Sequence, residues 1–351
     1  MKSRFRSRTV IGAALVTALL LPVGATTAAA QSPKTAGAHG GIEAGDTAFV
    51  DVSVATLWVG PRMTRSIDKP STTNPVDLDA WNRSMEDTQT RRWLTGKLET
   101  QASYGAKVTV LGIDGSWAHV AVAGQKTPRN DRGYPGWVPV RQLVKNDAFS
   151  ERVKTSDRAV VTAKKTWLTK KASGEHRMVR IGFNTKLPVL DRESSAVRVA
   201  TPDGKKAWVD SDSVAVYAPG QQPPAPTGAD LVRTGKKFLG LRYLWAGVSA
   251  WGFDCSGFTS SIYRAHGIAI PRDAGAQAEA ANGRPVDKNH LKPGDLLFFA
   301  QPGGTGAVHH VGMYIGGGRM IHAPNASTRV QIVDWRQWDT SNEFAGAQRF
   351  L

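Results

Sequence analysis

The chain has 351 residues, more than one compact core ordinarily encloses, so two or three domains are expected. With 41% hydrophobic and 8% aromatic residues its composition is that of globular material, which excludes a chain disordered throughout. The formal net charge of +16 favours anionic neighbours, and with no helix or glycine-aromatic motif suited to reading bases, nucleic acid is not among those expected.

Lys2, Arg4, Arg6 and Arg8 precede an apolar run over residues 10–23, and Ala28, Ala29 and Ala30 precede Gln31. This is the pattern of a secretory signal peptide, residues 1–30, cleaved after Ala30. The run is shorter than the roughly 20 residues of a spanning helix, and no later stretch is apolar for long enough, so no membrane span is expected after cleavage. The leader holds four basic residues and no acid, so the cleaved chain keeps +16 less 4, or +12. For a secreted, extracellular or wall-associated protein, the anionic cell wall is the natural partner of that charge. Export usually brings disulfides, yet the chain has one cysteine, Cys255, which cannot form an internal bridge. It is either a small buried hydrophobe or a reactive thiol.

Residues 31–46 are small and polar and read as a flexible leader. In "FVDVSVATLWV" Val50, Val52 and Val54 alternate with polar or small residues, which predicts a strand. Two later stretches repeat each other: residues 107–111 match 186–190, and Trp137 and Val138 match Trp208 and Val209. The repeat implies two related β-units, over residues 47–147 and 153–217, similar to bacterial SH3-like barrels. Extra chain in the first unit falls within "GQKTPRNDRGYPGW". A second insertion places Leu78, Trp81 and Met85 at helical spacing. Loops elaborated on a rigid barrel are where binding groups tend to sit, although decoration is as common.

A Pro/Gly/Gln linker, residues 218–228, precedes a unit of typical domain size, residues 229–351. "ADLVRTGKKFLGL" and "DCSGFTSSIYRAHG" predict helices, the second stopping at Gly267. "GDLLFF", "HHVGMYIG", "RMIHAP" and "RVQIVDW" predict strands. Helices followed by a run of strands make this unit α+β. Asp254 stands where it can cap the second helix, which puts Cys255 in the first turn. There the exposed N–H groups and the helix dipole favour a thiolate. The neighbouring carboxylate opposes this, so a cationic partner would help. His310 lies on a strand, on the face opposite Val311, Met313 and Ile315, and can take the thiol proton and return it to a leaving amine. His309 is the rival, pointing the other way. His322, one strand on, can orient His310 through its far nitrogen, or be a polar residue at a turn.

"YLWAGVSAWGFDCSGF", "IPRDAGAQ", "LKPGDLLFF" and "HHVGMYIGGGRMIHAP", in order and spacing over residues 241–325, resemble the NlpC-type cysteine peptidases of bacterial cell walls. That resemblance implies a papain-like α+β domain with a triad of Cys255, His310 and His322. No metal-binding cluster is visible in the sequence and thiolate chemistry needs none, so no cofactor is expected. "SVATLWVGP", "KLETQASYG" and "RGYPGW" extend the likeness to the γ-D-glutamyl-L-diamino acid endopeptidase branch, which carries two SH3-like domains before the catalytic one. It implies that the first barrel walls off the site, with Glu99 and Tyr134 holding the substrate's free amine. It also implies that Trp245, Asp254 and Ser256 bind substrate: carboxylates suit an ammonium, and a hydroxyl and an indole N–H suit a carboxylate. The chain departs from the family at Ala246, where Gly is preferred, and at Ala274, where Ser is usual.

The expected function is hydrolysis of the γ-D-glutamyl to diamino acid bond of peptidoglycan stem peptides with a free L-Ala, by a monomer. A general wall hydrolase or amidase of the same fold is the alternative, and a non-catalytic wall-binding module a third reading.

Overall fold

The structure, a computed structural model, describes residues 41–351. The expected signal peptide and residues 31–40 of the expected leader lie outside the described residues. From Gly41 the remaining leader is exposed over residues 43–45 but tied to the first sheet: Ile42 is buried in the first apolar core, and the main chain of Gly45 and Asp46 exchanges hydrogen bonds with Val110.

Two seven-stranded antiparallel sheets come first. Numbered by chain order within each sheet, both run 3-2-6-5-4-1-7. The repeated segments occupy equivalent places: Lys107–Asp114 and Lys186–Arg192 are both fourth strands, and Tyr134–Pro139 and Lys206–Asp210 both sixth. Alternation explains the strands locally, since Val108 and Val110 are buried while Lys107 is exposed. The single strand expected around Val50, Val52 and Val54 is instead two, Thr47–Val50 and Val54–Trp58. All three valines are buried, so the alternation persists while the chain turns a corner. Gly105 and Tyr104 donate to the carbonyls of Val50 and Ser53 there.

Between the second and third strands of the first sheet lie three short helices, Lys69–Thr72, Leu78–Arg83 and Thr88–Arg92. Leu78, Trp81 and Met85 are buried in a cluster with Leu244, Ala246 and Trp251, so the insertion is one of the surfaces through which the first sheet meets the last unit. Polar groups pin the contact. Arg91 donates to the Tyr243 carbonyl at 3.0 Å, Asn82 to the Trp251 carbonyl at 3.0 Å, and the Gln101 side-chain oxygen accepts from Val248 N and Ser249 Oγ at 3.3 and 2.9 Å. Asn184 of the second sheet donates to the Ser261 carbonyl at 2.8 Å.

Thr227 and Asp230 form a capping box that starts the helix Gly228–Lys236. The helix Cys255–Ala265 follows, capped by Asp254, and Gly267 at φ +79° ends it. Six antiparallel strands complete the unit: Arg284–Val286, Leu296–Gln301, Ala307–Gly316, Arg319–His322, Gln331–Asp334 and Phe344–Arg349, in the order 1-6-2-3-4-5. The four expected strands are present. The last strand lies inside the sheet and carries no sequence alternation to announce it. Phe258 and Ile262 of the helix pack in one core with Val311 and Met313 of the third strand, giving the α+β, papain-like arrangement that the resemblance implies.

Candidate active site

The helix Cys255–Ala265 begins where Asp254 Oδ1 accepts the Gly257 N–H at 2.6 Å, and its first turn brings Cys255 to the floor of a cleft of about 660 Å³. The approach is close. A Cβ on Gly257 would lie 2.0 Å from the Gly247 carbonyl oxygen, so only glycine lets this turn sit against the preceding loop. In that loop Ala246 holds φ +61°, the left-handed region where the family's usual glycine would be unstrained.

The thiol meets the main-chain N–H groups of Ser256 and of Val311, the residue after His310. Burial and, next, the Asp254 carboxylate push the thiol up to about 12, against these donors and Arg272, which pull it down. His310 Nε2 lies 2.9 Å from His322 Nδ1, and His322 Nε2 lies 3.3 Å from the Gln331 side-chain nitrogen. Both rings are buried. Trp338 packs at 4.9 Å from the His310 ring and 5.0 Å from the His322 ring. The strand face bearing His310 is therefore covered as fully as the one bearing Val311 and Met313. Burial, followed by the neighbouring His322 and His309, holds His310 well below the ordinary histidine value, and burial alone takes His322 to about 3. His309 also lines the cleft, but its ring is engaged elsewhere, with Nε2 2.8 Å from Glu343 Oε2.

A buried guanidinium stands behind the nucleophile. Arg272, 2% exposed, donates to Asp254 at 2.7 and 3.1 Å, to Ser256 Oγ at 3.0 Å and to Thr100 Oγ1 of the first sheet at 3.2 Å. It is the cationic partner that a thiol beside an aspartate calls for. It also occupies both oxygens of Asp254 and the Ser256 hydroxyl. The Trp245 indole N–H donates to the Leu98 carbonyl at 3.1 Å, so Trp245 offers its ring, not its N–H, to the cleft.

Glu99 and Tyr134 reach the same cleft from the first sheet. The Tyr134 hydroxyl lies 2.9 and 3.0 Å from the carboxylate oxygens of Asp273. Arg129, in the extra loop, makes a bidentate pair with Glu99 at 2.5 and 2.9 Å and donates to the Tyr134 hydroxyl at 3.2 Å. Ala274 lines the cleft without a hydroxyl. The structure thus gathers Glu99, Tyr134, Trp245, Asp254, Cys255 and Ser256 around one cleft, with His310 and His322 behind its wall. The sequence reasoning passed over Arg129, Arg272, Asp273, Gln331 and Trp338. Arg272 and Asp273 lie within the quoted "IPRDAGAQ", but their partners are set by tertiary contacts. No local signal marks the other three.

The sequence profile of the NlpC/P60 family matches residues 240–349, and that described as the YKFC SH3b2 domain matches residues 161–217. A protein of Bacillus cereus named Gamma-D-glutamyl-L-lysine dipeptidyl-peptidase is 46% identical over 97% of this chain and 99% of its own length. One of the same name from Bacillus subtilis is 37% identical over 85% and 96%. The crystal structure of an NlpC/P60 family protein from Bacillus cereus superposes with a TM-score of 0.83 at 48% identity, over 87% of this chain and all of that one. Likeness sustained at that level through both sheets and the catalytic unit places the chain in the NlpC/P60 family, as a cysteine peptidase.

Proposed function

We propose that the protein cleaves the γ-D-glutamyl to diamino acid bond of peptidoglycan stem peptides whose L-Ala amine is free, with Cys255 as nucleophile, His310 as base and His322 as its orienting partner. The bond rests on the near full-length likeness to the two Bacillus dipeptidyl-peptidases. The single structural observation that carries the mechanism is the thiol at a helix start, against the strand residue next to a buried His310 that is bonded to His322. The domain division expected from the sequence belongs to this reading: two SH3-like units over residues 47–147 and 153–217, and the peptidase over 229–351. So do export by the N-terminal signal, attraction to the anionic wall through the basic surface, and action as a monomer.

Thiol and imidazoles are both neutral at rest, given the directions of their shifts. Proton transfer from Cys255 to His310 therefore accompanies attack of sulfur on the γ-carbonyl. The proton then goes to the departing amine of the diamino acid, and water, deprotonated by the same ring, releases L-Ala-γ-D-Glu. With its nitrogen toward His322, Gln331 fixes the His322 proton on Nδ1, which donates to His310 Nε2. Turning the Gln331 amide over reverses these donors and leaves His310 Nδ1 free to accept the thiol proton.

The test is incubation of the purified protein with L-Ala-γ-D-Glu-L-Lys and identification of products by mass spectrometry. L-Ala-γ-D-Glu and free lysine are expected, with none formed by Cys255→Ala. A different cleaved bond, or turnover by that variant, would overturn the reading.

A further inference from the structure

We infer that Arg129 is a specificity-determining residue: its guanidinium occupies the amine subsite of the empty enzyme, and the substrate's ammonium enters by displacing it. The inference rests on the amine-binding reading of Glu99 and Tyr134 and adds to it the group already there. Arg129 engages both carboxylate oxygens of Glu99 and the hydroxyl of Tyr134, the three oxygens that an incoming ammonium would use. Its carbon sits 5.2 Å from the centre of the Tyr134 ring, so the guanidinium also covers the face of that residue. An ammonium reaching these oxygens while Arg129 holds them would meet a like charge beside it, which favours exchange over sharing.

The two acid–arginine pairs of the cleft differ in what they permit. The Arg272 side chain is 2% exposed and bonded on several sides, and it cannot leave Asp254 without abandoning a buried charge. The Arg129 side chain is 44% exposed and comes from a loop in which Lys126, Pro128, Asp131 and Arg132 are exposed too. Moving it into water costs little, because an exposed cation regains its hydration. Exchange of guanidinium for ammonium keeps Glu99 paired throughout. An N-acylated peptide brings no charge to replace the one it must evict, so Arg129 stays and the subsite remains closed. Discrimination against blocked peptides then comes from Arg129 left in place or, where it is displaced, from an unpaired Glu99.

The test is steady-state kinetics of the full chain on L-Ala-γ-D-Glu-L-Lys and its N-acetyl form, in wild type, Arg129→Gln, Glu99→Gln and the double variant. Removing the competitor should lower KM for the free peptide about two- to fivefold, the size of an exposed ion pair, with kcat unchanged. In the Glu99→Gln background the same substitution should change KM little, since its effect acts through Glu99. A KM that is unchanged or raised in Arg129→Gln, or a loss confined to kcat, would overturn the exchange and leave Arg129 a support for Glu99. Equal wild-type kcat/KM on both peptides would instead sink the amine-binding reading beneath it.

Discussion

At Cys255 burial and a flanking carboxylate oppose two main-chain donors and a guanidinium, and the balance favours the protonated thiol. For His310, the base proposed for this task, Phe299 and Trp338 pack against the ring and burial disfavours the imidazolium. A lowered histidine pKa keeps the base in working form as pH falls. The acid limb of kcat/KM should therefore lie below the ordinary histidine value of about 6.5. On the alkaline side the substrate's own amine titrates near about 8, and losing its charge weakens the attraction to Glu99, so kcat/KM should fall as pH rises through that value. A pH profile on the free tripeptide checks both limbs; an acid limb at or above about 6.5 would contradict the neutral-base account. His310→Ala should be as inactive as Cys255→Ala, and His322→Ala should lose less, an orienter being less essential than a base. Inactivity of His309→Ala with an active His310→Ala would reverse the assignment.

Around the helix Cys255–Ala265 the element-scale logic is electrostatic and steric together. Asp254 starts the helix, yet a buried carboxylate beside a thiol is tolerable only because Arg272 lies along both its oxygens. Arg272→Met should therefore cost roughly 3–5 kcal/mol, since removing one partner strands the other charge. Urea unfolding measures this, and a loss below about 1 kcal/mol would mean the pair is replaceable. The start and stop of this helix were legible in Asp254 and Gly267, because capping is local chemistry. The strand bearing His310 was legible from Val311 and Met313. Its covered polar face was not, since Trp338 arrives from the short helix Trp335–Trp338. Phe344–Arg349 escaped notice because Ala345, Gly346 and Ala347 offer no alternation, and its place within the sheet depends on pairing with both Arg284–Val286 and Leu296–Gln301.

Across the whole molecule, the first sheet is as much part of the cleft as the peptidase unit is. Its helical insertion buries Leu78, Trp81 and Met85 against Leu244 and Trp251, and its third and sixth strands supply Glu99 and Tyr134. The helix bearing Leu78 and Trp81 was legible from sequence spacing, although Met85 lies beyond its end at Arg83, and so was the repeat that made two like sheets. Which way the insertion faced was not, because docking surfaces are chosen by the partner. On the proposed function, a domain that performs no chemistry acts as a substrate filter. The most direct test is the ratio of kcat/KM for L-Ala-γ-D-Glu-L-Lys to that for its N-acetyl form. A blocked peptide must either leave Arg129 on Glu99 or break that pair with no charge to replace it, so the free amine should be preferred by at least about tenfold, roughly 1.4 kcal/mol. Equal rates on the two peptides would contradict the account and leave the first sheet without a part in selecting substrate.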